Sequence, residues 1–147
     1  MKKLLSIEAG SNAINIAALF VRITAAALML SHGLPKLGYL FSGSPIQFPE
    51  VFGMRSDVSL MLTVFAEVIC SVFILLGLGT RLAVIPLIVT MLVAVLLIHS
   101  ADPFAKQEPG IHYLILYVIL FITGSGKYSV DYLLQRKQQA GMVWTNR

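Results

Sequence analysis

Apolar residues fall along this chain in four long blocks, not in alternation and not in a sustained heptad pattern. The blocks run from about Ala13 to Leu37, Val58 to Leu78, Leu82 to His99 and Ile111 to Gly124. Blocks approaching ~20 residues are the length at which a helix crosses a bilayer. Lipid offers no partner to backbone N–H and C=O groups, so each block is predicted to be helical. The fourth is short for a span, but it can extend toward Tyr128 or sit in thinned lipid. Polar punctuation separates the blocks. Gly38 to Asp57 is a loop rich in Gly, Ser and Pro, with Pro45 and Pro49. Gly77-Leu78-Gly79-Thr80-Arg81 reads as a tight turn, and Asp102-Pro103 as a helix break. Pro86 falls in the first turns of the third block, where a missing N–H costs little. There is no internal repeat. The pattern predicts an all-α, integral membrane four-helix bundle, one domain over residues 1–147, with a short cytoplasmic tail at 127–147.

Composition agrees. Hydrophobic residues make up 57% of the chain and charged residues 12%, against roughly 25% charged in a soluble domain. So few charges cannot cover a soluble globule of this size. The net charge of +4 comes mainly from the two ends and one short connection. Lys2, Lys3, Arg81, Lys127, Arg136, Lys137 and Arg147 fall on one side of a four-span arrangement, and Lys36, Arg55 and Lys106 on the other. The richer side is expected to be cytoplasmic, which puts both termini inside. No arginine-rich helix or interleaved aromatic pattern points to nucleic acid. The head, Met1 to Ser11, resembles the start of a signal peptide. The apolar run behind it is too long for one, carries Arg22 and lacks a clear cleavage site, so it is expected to be a retained span. Cys70 is the only cysteine and reads as a small buried hydrophobe. Trp144, in a polar tail, reads as a surface anchor.

Two charges fall near the middle of apolar blocks. Arg22 and Glu67 each lie roughly 14 Å from the nearer end of their span at about 1.5 Å per residue. An isolated charge at the bilayer centre costs on the order of 3 kcal/mol, so a contact between Arg22 and Glu67 is expected. Such a pair can fix helix register only, or it can form a proton-linked or ligand-binding site. By helical rotation, Arg22, Met29, His32, Gly33 and Lys36 share one face of the first span. Thr63, Glu67, Cys70 and Ser71 share one face of the second. Ala25, Ala26, Ala27 and Gly33 keep the first span thin enough for close approach. His32, His99 and His112 fall at one membrane level. Three histidines can relay protons or hold Zn²⁺ or Cu²⁺, but their spacing matches no metal motif, and no metal is assigned. His99 and His112 also read as interfacial side chains satisfied by water. Tyr113 and Tyr117, one turn apart, are either packing residues or a stacking wall for a planar lipid-soluble ligand.

These residues resemble the DoxX family of small bacterial membrane proteins, over about Ile16 to Leu134. The likeness rests on Arg22 followed by Ser31-His32-Gly33-Leu34-Pro35-Lys36, on Glu67 in the second helix, on Leu76-Gly77-Leu78-Gly79-Thr80-Arg81, and on Gly124-Ser125-Gly126-Lys127-Tyr128-Ser129-Val130-Asp131. The resemblance implies a four-helix fold in the bacterial inner membrane and a link to redox chemistry. Relatives include a subunit of a thiosulfate:quinone oxidoreductase and membrane partners of enzymes that handle thiols and superoxide. With one cysteine, this chain lacks the pair that a dithiol mechanism requires. By position the resemblance selects Arg22, His32, Lys36, Glu67, Arg81 and His99. Ser129 and Asp131 are expected to be structural, capping a helix over Tyr132 to Gln139, with Lys127 or Arg81 pairing with Asp131.

Three functions follow as expectations. One is a non-catalytic or quinone-interacting component of a membrane redox or oxidative-stress system. It would work beside an oxidoreductase partner, because the sequence carries no haem, iron–sulfur or flavin motif. The candidate ligand-binding or proton-linked residues are Arg22, His32, Lys36, Glu67, His99, His112 and Tyr113. The second is a scaffold subunit without ligand, its charges fixing packing. The third is a small proton-coupled transporter, working as a homo-oligomer, with Glu67 carrying the proton.

Overall fold

A computed structural model describes residues 11–145 of the chain. The charges Lys2, Lys3 and Arg147, and the side chain of Trp144, lie outside what is described. Among the described residues the chain is all helical, with no strand. Helix α1 is Ser11–Leu40. Helix α2 is Ser56–Leu76 and α3 is Thr80–Ile98. Helix α4 is Phe104–Thr123, and α5 is Val130–Thr145. Helices α1, α2 and α3 are long and apolar enough to cross a membrane.

Helix α1 runs past its expected end. Pro35 and Gly38 fail to stop it, and the chain turns only at Phe41 and Ser42. Helix α4 starts at Phe104 instead of Ile111. Pro103 stands just before it with extended backbone, φ −55° and ψ 146°, a conformation that suits a residue preceding a helix. The polar residues Lys106, Gln107 and Glu108 therefore occupy its first turns. Helix α5 is longer than the expected Tyr132 to Gln139.

The α2–α3 turn follows from its glycines. The N–H of Leu78 donates to the carbonyl of Phe73 at 2.9 Å, and that of Gly77 to Ile74 at 3.0 Å. Gly77 is left-handed, with φ +69°. This is a Schellman stop, which places a glycine just past the last helical turn. Gly77 has a second constraint: a Cβ there would lie 2.6 Å from Ser129 Cβ and 2.7 Å from the Arg22 guanidinium carbon.

Four helices share one core. Ala25, Ala26 and Met29 of α1 meet Ala66, Cys70 and Ile74 of α2, Val84 and Leu87 of α3, and Tyr117 and Leu120 of α4. Cys70 is buried there, as its apolar neighbours predict. The outward faces carry large apolar side chains such as Phe20, Leu82, Leu96 and Ile122, the surface expected where lipid is the solvent. Helix α1 packs against α2 through its small residues. A Cβ on Gly33 would lie 2.9 Å from Glu67 Cβ and 2.8 Å from Val68 Cγ2. Ala25 and Ala26 are buried in the same interface, whereas Ala27 faces outward.

Candidate functional site

The predicted Arg22–Glu67 contact does not form. Gly33 faces Glu67, while Arg22 reaches the carbonyls of Ile74 and Leu75. On this antiparallel register the two charges stand eleven positions apart along α1, roughly 16 Å at 1.5 Å per residue. Side-chain direction adds to the separation, because helical side chains lean toward the helix N-terminus. Arg22 therefore leans toward the start of α1, away from Glu67. Lys36 leans back along α1 toward Glu67, and Glu67 leans toward the start of α2. The two lean toward each other and meet.

Lys36 Nζ donates to Glu67 Oε1 at 2.5 Å. The pair is lopsided: the Lys36 side chain is 33% exposed and that of Glu67 only 3%. The other carboxylate oxygen, Oε2, is buried without a hydrogen-bond partner among the described residues. Glu67 sits in a widened stretch of α2, Phe65–Cys70. Opposite it, α3 widens over Ala94–Ile98, where the N–H of His99 reaches back to the Ala94 carbonyl at 2.9 Å. Wide turns of this kind inside α-helices recur at functional sites.

Between the two widened stretches lies a cavity of about 410 Å³. Its walls are mostly apolar, with Leu62, Val89, Val93 and Ile98 from α2 and α3, and Phe48, Val51, Phe52 and Met54 from the loop between α1 and α2. Glu67, Lys36, His99, Ser59, Thr63 and Thr90 supply its polar groups. The Thr63 and Thr90 hydroxyls donate to carbonyls of their own helices. The buried Ser59 hydroxyl has no partner among the described residues. A smaller cavity of about 170 Å³ shares the ion pair and is lined in part by His32, Lys36, Glu67, His99 and Tyr113.

The remaining candidates divide. His32 is exposed and meets the edge of Tyr113, ring centroids 5.9 Å apart. Tyr113 stacks on Tyr117 at 6.0 Å. Tyr117 is fully buried in the core, so of the two only Tyr113 borders a cavity. His99 reaches both cavities and bonds through Nδ1 to Asp102 at 2.7 Å. That hydrogen bond, with help from Lys106, holds the Asp102 carboxyl below its ordinary range. His112 is exposed and borders neither cavity. His32 and His99 border the same small cavity but His112 does not join them, and among the described residues no group of three His, Cys, Asp or Glu side chains forms a metal cluster. Ser59 and the loop residues Phe48 to Met54 were not singled out in the sequence. Ser59 and Thr63 lie two turns and one turn before Glu67, so the stripe was present to be read.

Arg22 belongs to a different structure at the opposite end of the helices. Its guanidinium donates to the carbonyls of Ile74 (2.9 Å), Leu75 (3.0 Å), Ser125 (2.6 Å) and Tyr128 (3.0 Å). Two of these carbonyls belong to the last turn of α2, where a cation is favoured; Ile74 also accepts from the Gly77 N–H, and Arg22 uses its remaining lone pair. Arg22 is thus satisfied while buried, with no carboxylate in contact among the described residues. Asp131 pairs with neither Lys127 nor Arg81. It accepts from the Gly79 N–H at 2.8 Å, because its own N–H is tied to the Gly77 carbonyl at 3.1 Å. Arg81 instead donates to the Ile122 carbonyl at 3.1 Å. The Lys127 backbone N–H donates to Asn15 Oδ1 at 2.9 Å. Ser129 caps α5 as expected, accepting from the Tyr132 N–H at 3.2 Å.

A family model described as DoxX matches residues 17–100. That span holds Arg22, Lys36, Glu67 and His99 and ends before the glycine-rich segment at Gly124. No curated protein matches the chain, and no solved structure matches it.

Proposed function

The chain belongs to the DoxX family, whose model matches more than half of it, and from that premise we propose that it binds a lipid-soluble, quinone-type molecule within the membrane. It does so as a component of a redox or oxidative-stress system of the bacterial inner membrane. The arrangement proposed with it is four spans, α1 to α4, with both termini cytoplasmic. The cavity beside Glu67 then opens toward the outer half of the bilayer, under the α1–α2 loop.

One observation carries the reading: Glu67, a buried carboxylate bonded to Lys36, lines an apolar cavity of ligand size. Pockets that hold small molecules combine apolar walls with a few polar groups. A structural ion pair alone has no use for the cavity. When bound, a quinone-type ring supplies two-electron chemistry coupled to two protons. In this reading Lys36 donates to an oxygen of the ring, and the Glu67 carboxylate accepts or returns a proton. His99, bordering the cavity and bonded to Asp102, passes protons between the site and water. The apolar wall excludes water and holds the ring. Electrons go to or come from a membrane-associated oxidoreductase partner.

The scaffold reading has its own support at Arg22, whose four carbonyl bonds tie α1 to α2 and to the segment before α5. The two readings therefore apply to different charges. The test is mass spectrometry of small molecules extracted from protein purified in mild detergent, with Glu67→Gln and Arg22→Met alongside. A stoichiometric quinone in the native protein, lost from a folded Glu67→Gln variant, is the expected result. An empty native protein would overturn the proposal. Arg22→Met is expected to reduce the yield of folded protein.

A further inference from the structure

A second cleft, also of about 410 Å³, lies between the start of α1, the α2–α3 turn and the segment that joins α4 to α5. Asn15, Arg81, Lys127, Asp131 and Gln135 line it, together with the turn Gly124 to Gly126. It shares no residue with the Glu67 cavity, and Asn15 and Lys36 stand about 30 Å apart along α1 at ~1.5 Å per residue. We infer that this cleft binds the phosphodiester of an anionic phospholipid, one whose headgroup carries a single negative charge.

Charge and position both point to a lipid phosphate. Two cations, Arg81 and Lys127, stand against one carboxylate, Asp131, which leaves the cleft a positive excess. Asp131 is also engaged already, accepting from the Gly79 N–H at 2.8 Å. Arg81 is held in place without being used up: it donates once, to the Ile122 carbonyl at 3.1 Å, and a guanidinium has five N–H groups. Gly124 leaves room for it, since a Cβ there would lie 3.3 Å from Arg81 Nε. The Lys127 side chain is exposed and has no hydrogen bond or ion pair among the described residues. A guanidinium fork and an ammonium are both groups that bind phosphate. Helices α2 and α3 are each long and apolar enough to cross a bilayer, so the turn between them, with Arg81 beside it, lies at headgroup depth whichever face that is. Leu82, on the wall of the cleft, is 74% exposed, and Ile122, whose carbonyl holds Arg81, is 68% exposed. Acyl chains can lie along these side chains, for which a free phosphate has no use. The ammonium of an ethanolamine headgroup would restore the positive excess that the phosphate removes, whereas a glycerol headgroup brings only hydroxyls, which the Gln135 amide can meet.

Native mass spectrometry of the full chain in mild detergent, titrated with dioleoylphosphatidylglycerol, dioleoylphosphatidylethanolamine or inorganic phosphate, tests this. One phosphatidylglycerol is expected to stay bound per chain, more tightly than phosphatidylethanolamine. Lys127→Gln is expected to weaken it about fivefold, the effect of one cation at a lipid surface. That change leaves every described hydrogen bond in place, because only the Lys127 backbone takes part in one. Arg81→Gln is expected to weaken binding at least as much. Arg136→Gln with Lys137→Gln removes two charges of α5 that do not line the cleft, and is expected to change binding by less than about twofold. An equal loss in that control would overturn the inference, by showing attraction to the basic surface in general. Phosphatidylethanolamine binding as tightly as phosphatidylglycerol, displacement of the lipid by inorganic phosphate, or undiminished binding in Lys127→Gln would overturn it too. The Glu67 cavity takes no part in the comparison, so failure of the quinone-type reading leaves this inference standing.

Discussion

Arg22 and Glu67 illustrate two ways of keeping a charge inside an apolar bundle. Arg22 spreads its guanidinium over four backbone carbonyls, a geometry that a planar fork permits and a single ammonium does not. Arg22→Lys is therefore expected to lose most of these bonds and to destabilise the protein by on the order of 3 kcal/mol. Thermal unfolding in detergent measures this, and an unchanged midpoint would mean that the carbonyl clamp contributes little. Glu67 instead depends on one partner. Lys36→Met leaves a buried carboxylate unpaired and is expected to cost more than the double change Lys36→Met with Glu67→Leu. A double variant less stable than the single would show that the carboxylate is satisfied some other way.

At the scale of elements, the close approach of α1 and α2 depends on Gly33. Any side chain there meets Glu67 Cβ at 2.9 Å and Val68 Cγ2 at 2.8 Å. Gly33→Leu is expected to push the helices apart where Lys36 must reach Glu67, lowering ligand affinity along with stability. Retention of full binding would show that the pair tolerates a wider gap. The turn after α3 carries the pH dependence. Asp102 is held below its ordinary carboxyl range, first by His99 and then by Lys106. A depressed carboxyl contributes its stabilisation at pH above the unfolded value. That contribution is lost as pH falls through the folded value. The His99–Asp102 contact is thus expected to persist at neutral pH and to open only in acid below about pH 3.8, the ordinary value for this group. The His99 ring resonances followed by NMR during an acid titration report this, with Asp102→Asn as the reference. Because the turn is exposed, the effect is expected to be local and small.

At the scale of the whole molecule, the number of crossings determines where the tail lies. Helices α1 to α3 are long and apolar enough to cross, whereas α4 carries Lys106 and Glu108 in its first turns. Four crossings put the α1–α2 loop and α5 on opposite sides of the membrane, and three crossings put them on the same side. In a Cys70→Ala background, Ser44→Cys and Gln138→Cys are expected to react with an impermeant thiol reagent from opposite faces. Labelling of both from one face would rule out α4 as a span. Opposite labelling would also set the Glu67 cavity on the side away from the positively charged tail, as the distribution of Arg81, Lys127, Arg136 and Lys137 predicts.

The helical, membrane-spanning character of the chain was legible in the sequence because it depends on block length and on the cost of bare backbone in lipid, both local properties. The glycine stop at Gly77, the cap at Ser129 and the buried faces around Glu67 were legible for the same reason. Each follows from the conformation of a few neighbouring residues or from helical periodicity. The choice of partners was not. Whether Glu67 meets Arg22 or Lys36 depends on the axial register of α1 against α2, which Gly33 sets through a contact more than thirty positions away in sequence. Likewise, the cavity arises where two widened turns on separate helices and a distant loop come together. Only the tertiary structure could decide these, because small shifts between rigid helices change which side chains meet without changing any local pattern.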